Sequence, residues 1–154
     1  MQSQNLYAYL AGLTDGEGTI SIFRRGKYAL KPHFEIQVSS GDALYKLKDK
    51  LAKEGIDLHV YAHLPDKRKE NYKTMYSAQV LSLANLEIVL ERTLPFYLIK
   101  KEQAQILLNL VRKRRKVLAN DYHAHYDAGD SENCRKIQGL NGNKNNARRG
   151  ISNF

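Results

Sequence analysis

The sequence predicts an α+β fold: one four-stranded antiparallel sheet with helices on one face. Three observations carry this. Two pairs of alternating apolar and polar segments are each joined by a short basic turn. A helical pattern precedes each pair, and two more follow the second. The chain of 154 residues is 42% hydrophobic, enough for one compact core.

The elements follow in order. Residues 3–13 form a helix, with Ser3 or Asn5 as N-cap, and Asp15-Gly16-Glu17-Gly18 breaks it. Thr19 to Arg24 is a strand with Ile20 and Ile22 on one face and Ser21 and Phe23 on the other. After a turn at 25–27, Tyr28 to Val38 is its partner. There Phe34, Ile36 and Val38 face the core and His33, Glu35 and Gln37 face away. Pro32 cannot donate to a ladder, so it marks an edge or a bulge. Ser40 or Asp42 caps a helix striped by Leu44, Leu47 and Leu51, and Gly55 ends it. Strands at 58–64 and 73–81 flank a basic tip at 65–71. In the last strand Tyr76, Ala78 and Val80 oppose Met75, Ser77 and Gln79. A short helix over 85–92 stops at Pro95, and Ile106, Leu107, Leu110, Val111, Val117 and Leu118 stripe a helix over 100–118. Residues 1–118 thus form the core. Residues 119–154 form a helical and basic extension of the same domain, whose Gly- and Asn-rich end from 139 is expected to order on a partner.

Lys and Arg number 25 against 16 Asp and Glu, giving a formal charge of +9 and a pI near 9.6. That surplus points to a polyanion, nucleic acid before a membrane surface. The densest run is Arg112-Lys113-Arg114-Arg115-Lys116. Cys134 is the single cysteine, which excludes an intramolecular disulfide scaffold and suits an intracellular, reducing compartment; a prokaryotic cytoplasm and an organelle fit equally. No apolar run reaches membrane-spanning length, and the N-terminus has no basic region ahead of its apolar stretch, so no membrane partner and no signal peptide are expected. His123-x-His125 with Cys134 lacks a fourth ligand for zinc.

The stretch that carries chemistry is Leu10-Ala11-Gly12-Leu13-Thr14-Asp15-Gly16-Glu17-Gly18. Ala8, Gly12 and Gly16 recur every fourth residue and give a thin helix face that a second backbone can approach closely. Asp15 and Glu17 stand at the helix C-terminus, where glycine permits unusual backbone angles. Carboxylates there face the negative end of the macrodipole, an unfavourable placement unless a cation or another donor compensates. A divalent metal would do so, and so would ordinary solvation of a turn.

This segment resembles the signature of the LAGLIDADG homing endonucleases, with Thr for Ile, Gly for Ala and Glu for Asp. The order of elements is similar to that family's αββαββα core over roughly residues 5–118, with the sheet as a DNA-binding saddle and C-terminal helices after it. A second local match is Leu94-Pro95-Phe96-Tyr97-Leu98-Ile99-Lys100, since a Pro-Phe segment precedes the family's catalytic lysine.

The resemblance implies roles. Glu17 matches the acid that binds the catalytic metal, with the Gly16 carbonyl joining it. Such oxygen ligands suit Mg²⁺, with Ca²⁺ or Mn²⁺ as substitutes. Asp15 matches the acid that fixes helix ends, and Lys100 the lysine near the scissile phosphate. Ser40 stands where the family commonly places a glutamine beside the attacking water, a departure. One motif copy in one domain implies a homodimer packed along Ala8, Gly12 and Asp15, with two Glu17 carboxylates at the two-fold axis. The implied activity is metal-assisted hydrolysis of one phosphodiester per strand of double-stranded DNA, leaving 3′ overhangs, by an intron-encoded enzyme with a long pseudo-palindromic target. Base reading falls to Ser21, Phe23, Arg25, Lys31, His33, Glu35, Gln37, His59, Tyr61, His63, Lys73, Met75 and Ser77, and phosphate contact to Lys67, Arg68, residues 112–116, Arg148 and Arg149. The alternatives are an RNA maturase acting on its own intron RNA, and a DNA-binding protein that has lost cleavage.

Overall fold

The computed structural model describes residues 3–65 and 72–142. In chain order the elements are α1 (Ser3–Glu17), β1 (Gly18–Arg25), β2 (Ala29–Val38), α2 (Gly41–Lys53), β3 (His59–His63), β4 (Met75–Gln79), α3 (Leu83–Thr93), a single 3₁₀ turn (Leu94–Phe96), α4 (Lys101–Asn120) and α5 (Ala128–Leu140). The strands form one sheet in the order β1-β2-β4-β3, with every neighbouring pair antiparallel. This is the α+β architecture expected.

The core lies between one face of the sheet and the helices. Ile20, Ile22, Phe34, Ile36 and Ala78 from the sheet meet Leu6 and Leu10 of α1, Leu44 and Leu51 of α2, and Leu107 and Val111 of α4. β3 is the least covered strand: Leu58 just before it is buried, but Ala62 is exposed and Leu64, just after it, fully so. Pro32 sits opposite Ile22, where β4 does not reach, because β4 pairs only with Glu35–Val38. Its missing N–H therefore breaks no ladder bond to β4.

Several boundaries differ from the sequence reading; β3 and β4 are each shorter than expected, and α4 runs on to Asn120. α1 runs through Glu17, and β1 begins at the next residue, so Asp15 and Glu17 occupy the last helical turn and not a loop beyond it. Gly16 and Gly18 do not have positive φ; Gly18 is needed for space, because a Cβ there would lie 2.7 Å from the Thr14 Cα and carbonyl oxygen. α3 begins before residue 85, since the Ser82 hydroxyl accepts from the Asn85 N–H and caps it there. Lys73 precedes β4 and does not belong to it.

The stretch after Ala119 is more ordered than its weak periodicity suggests. α5 starts with a capping box: Asp127 accepts from the Asp130 N–H, and Asp130 from the Asp127 N–H. Cys134 and Ile137 enter the common core. Cys134 Sγ and Gln138 Nε2 donate to the Ile22 carbonyl, and Asn141 Nδ2 donates to the Ile20 carbonyl. β1 is an edge strand, and α5 satisfies the acceptors along its open side.

Candidate active site and nucleic-acid interface

The last turn of α1 and the chain just ahead of α4 are tied by one carboxylate and one ammonium. Asp15 Oδ2 accepts from the N–H groups of Leu98 (2.8 Å) and Ile99 (3.2 Å), and Oδ1 from that of Lys100 (2.9 Å). Lys100 Nζ reaches back to the carbonyls of Thr14 (3.0 Å) and Asp15 (2.5 Å). The ammonium thus sits at the negative end of the α1 dipole and supplies the compensation that the sequence demands. Tyr97 is buried beneath this junction and accepts from the Thr93 hydroxyl. Burial pushes its phenol up to about 12, and Asp15 adds to the rise.

Glu17 is treated differently. It is exposed and makes no hydrogen bond or ion pair among the described residues. Gly12 and Gly16 are exposed too, and a Cβ at either would meet nothing. The small-residue face of α1 is therefore open, with a free carboxylate at its tip. Among the described residues no three His, Cys, Asp or Glu side chains converge to hold a metal ion. The donors at the tip, the Glu17 carboxylate and the Gly16 carbonyl, are hard oxygens that fit a divalent cation, but one chain offers a single free carboxylate there.

The sheet face away from the core carries the predicted reading residues in register, except Lys73, which precedes β4. Ser21 pairs with His33 and Phe23 with Lys31, while Gln37, Ser77 and Tyr61 form one row across three strands. Phe23, Arg25, Gln37, His59, Tyr61, His63 and Met75 are exposed. Ser21, His33 and Ser77 are not: they are 3%, 8% and 0% exposed, covered by taller neighbours on the same face. Phe23 stacks on His33 with ring centroids 4.6 Å apart, and the His63 ring lies 2.8 Å from Ser77 Oγ. These three buried side chains shape the face and do not project from it. Burial lowers the His33 pKa despite Glu35 beside it, so its contact to Glu35 is a neutral imidazole N–H donated to a carboxylate. Gln79 joins the same face through the alternation that places Met75 and Ser77 there.

The family model of the LAGLIDADG-like domain matches residues 5–93, more than half of the chain. This chain belongs to the LAGLIDADG family. Among solved structures, the homing endonuclease I-CvuI bound to the I-CreI target with magnesium, its DNA not cleaved, is 20% identical with a TM-score of 0.63, over 89% of this chain and 82% of that one. I-CvuI with its own target and calcium gives 21% and 0.57 over the same shares. The group I intron-encoded homing endonuclease I-CeuI, complexed with DNA, gives 17% and 0.52, over 79% of this chain and 60% of that one. These likenesses establish the LAGLIDADG homing endonuclease fold. No curated protein matches the chain.

The remaining site residues of this LAGLIDADG chain fall into three groups. Ser40 is the exposed N-cap residue of α2 and lines a groove of about 470 Å³ between α1 and α2; its side chain makes no capping bond. Lys67, Arg68, Arg148 and Arg149 lie outside the described residues. The run at 112–116 lies in the interior of α4, not in its last turn, so the helix dipole has no claim on it. The fold also gives most of the run internal partners. Arg112 pairs with Glu87 and Glu91, Arg115 with Glu87, and Lys113 with Asp127 and Asp130, while the Arg114 guanidinium lies 4.1 Å from the Tyr126 ring centroid. These contacts clamp α4 to α3 and α5. Lys116 is the member of the run for which no side-chain partner is found among the described residues. No helix among the described residues is long and apolar enough to cross a membrane.

Proposed function

We propose that this chain is a site-specific endonuclease that cuts both strands of a DNA duplex as a homodimer with a divalent metal, encoded within an intron. One observation carries the reading: of two carboxylates two residues apart, Asp15 is consumed by three backbone N–H groups, whereas Glu17 is held free at the tip of an open, small-residue helix face. Lys100 answers the helix dipole at the Thr14 and Asp15 carbonyls but does not pair with Glu17, so that exposed acid still has a place for a cation, and a face without bulky side chains suits another backbone. Two chains packed along α1 bring two such carboxylates together.

The Glu17 carboxylate and the Gly16 carbonyl would hold the metal, Mg²⁺ by ligand chemistry. When bound, that ion supplies Lewis acidity to activate water and stabilise the leaving oxygen. Lys100 supplies fixed positive charge. Two of its three ammonium protons are spent on the Thr14 and Asp15 carbonyls, which aims the third without further ordering. Asp15 is a positioning residue: it fixes the backbone that carries Lys100. The polar sheet face reads the major groove, which admits a β-ribbon. Hydrolysis leaves 3′ overhangs.

The test uses duplexes selected from a randomised pool, with Mg²⁺ in the cleavage buffer. Glu17→Gln is expected to keep duplex binding as a dimer and to lose cutting by roughly a hundredfold or more. Undiminished cutting by that variant, or a wild-type protein that stays monomeric on its duplex, refutes the proposal. Capture of structured intron RNA without any duplex cutting favours the maturase reading.

A further inference from the structure

Among the described strand residues, the outward sheet face carries one acid, Glu35, set at the middle of a basic protein's proposed DNA surface. An acid there opposes phosphate binding, so its presence calls for a reason. It is not a loose surface side chain. Glu35 Oε1 accepts from the Tyr61 hydroxyl (3.1 Å) and from Gln79 Nε2 (3.1 Å), and Gln79 Nε2 also donates to the Tyr61 oxygen (2.6 Å). Oε2 accepts from the His33 ring at 3.1 Å. The four side chains come from β2, β3 and β4, so the carboxylate is pinned across three strands. Its side chain is 14% exposed, a small window onto the face. Burial pushes the carboxyl upward, but Gln79, Ser77, Gln37 and Tyr61 together outweigh it and hold Glu35 below the ordinary carboxylate range.

The three side chains that hold Glu35, namely Tyr61, Gln79 and His33, have spent their donors on the cluster. Both protons of the Gln79 amide and the Tyr61 proton are used inward, and so is the Nε2 proton of His33, whose low pKa leaves Nδ1 an acceptor. Oε2 accepts from the His33 ring, and a carboxylate oxygen has a second lone pair for a further donor at the 14% exposed window. A rigid, ionised acceptor must meet a donor when water is excluded, because an unmatched buried charge is costly.

We infer that Glu35 is a specificity-determining residue that accepts a hydrogen bond from the exocyclic amino group of a cytosine in the major groove. This rests on the endonuclease reading above. The groove edges discriminate as follows. Guanine and thymine present acceptors there, which repel a carboxylate. Adenine presents its amino group beside the N7 acceptor, whereas cytosine presents its amino group with no acceptor next to it. The same carboxylate thus attracts cytosine, rejects guanine and thymine, and is disfavoured at adenine by the N7 acceptor beside the amino group. A two-fold protein places this requirement at one pair of symmetry-related positions.

The experiment is selection from a randomised duplex pool by wild-type protein and by Glu35→Gln, followed by sequencing of the retained duplexes. Wild type is expected to favour cytosine by roughly five- to a hundredfold at one symmetry-related pair of positions. Glu35→Gln, which adds a donor and removes the charge, is expected to erase that preference there and leave the other positions unchanged. Tyr61→Phe, which keeps the carboxylate but removes one of its anchors, is expected to weaken the same preference. It serves as the second variant if Glu35→Gln fails to fold. Identical base profiles for wild type and the variants, or a wild-type preference that Glu35→Gln alters at every position, overturn the assignment while leaving the endonuclease reading intact. A wild-type protein that retains no duplex from the pool overturns both.

Discussion

Removing either motif acid should separate the folding role of Asp15 from the catalytic role proposed for Glu17. Asp15→Ala deletes three hydrogen bonds to a charged acceptor. Such bonds contribute about 1.5–3 kcal/mol each when isolated from water. Leu98 and Ile99 are exposed, so water replaces much of what their N–H groups lose; Lys100 is half-buried and loses more. Counting about 1 kcal/mol for the exposed pair together and about 2 for Lys100, the substitution should cost about 3 kcal/mol. That is a large share of the ~5–15 kcal/mol available to a domain of this size, and corresponds to a fall of roughly 6–12 °C in Tm. Glu17→Gln should do the opposite. It removes a charge from the negative end of α1 with no partner to lose, for a gain of ~0.3–1 kcal/mol, together with loss of cutting. Urea unfolding followed by circular dichroism reads both, with the slope expected to stay constant. A cost below about 1 kcal/mol for Asp15→Ala, or a destabilised Glu17→Gln, would show that the two acids have not divided the work in this way.

Three further outcomes follow from the same geometry. Gly18→Ala should destabilise by more than about 2 kcal/mol, because its Cβ meets Thr14 backbone, whereas Gly12→Ala should stabilise the free chain by up to about 1 kcal/mol while weakening self-association, as read by urea unfolding and light scattering. The Tyr97 phenol, raised from 10.0 to about 12 in the fold, stays protonated after the unfolded chain has begun to release its proton. Stability should therefore fall as pH rises from about 10 to 12, by up to about 2–3 kcal/mol, and the fall should be smaller in Tyr97→Phe at matched pH. Arg112→Ala and Arg115→Ala should leave the slope of log affinity for duplex against log salt nearly unchanged, because their charges are spent on Glu87 and Glu91; a slope reduced by about one per substitution would place them on phosphates instead.

What was legible in the sequence shares one physical property: it is fixed by neighbours along the chain. Strand alternation assigns a face to Ser21, Glu35, Ser77 and Tyr61 without reference to anything distant, and the four-residue spacing of Ala8, Gly12 and Gly16 fixes their common side of α1 in the same way. What was not legible is fixed by partners far away in sequence. The run at 112–116 looks like free charge until α3 and α5 supply Glu87, Glu91, Asp127 and Asp130. Ser21, His33 and Ser77 occupy the predicted face, yet they are buried by neighbours whose height no local pattern records. Asp15 and Glu17 make the point most sharply. Both are acids beside a glycine at one helix end, and only the approach of the chain at Leu98 to Lys100, more than eighty residues on, makes the first a backbone clamp and leaves the second free. That asymmetry also bounds which changes the site tolerates. The Asp15 position needs two oxygens in fixed directions, whereas under the proposed metal role the Glu17 position would need only a carboxylate within reach of a cation, with which Glu in place of the family's Asp is chemically compatible.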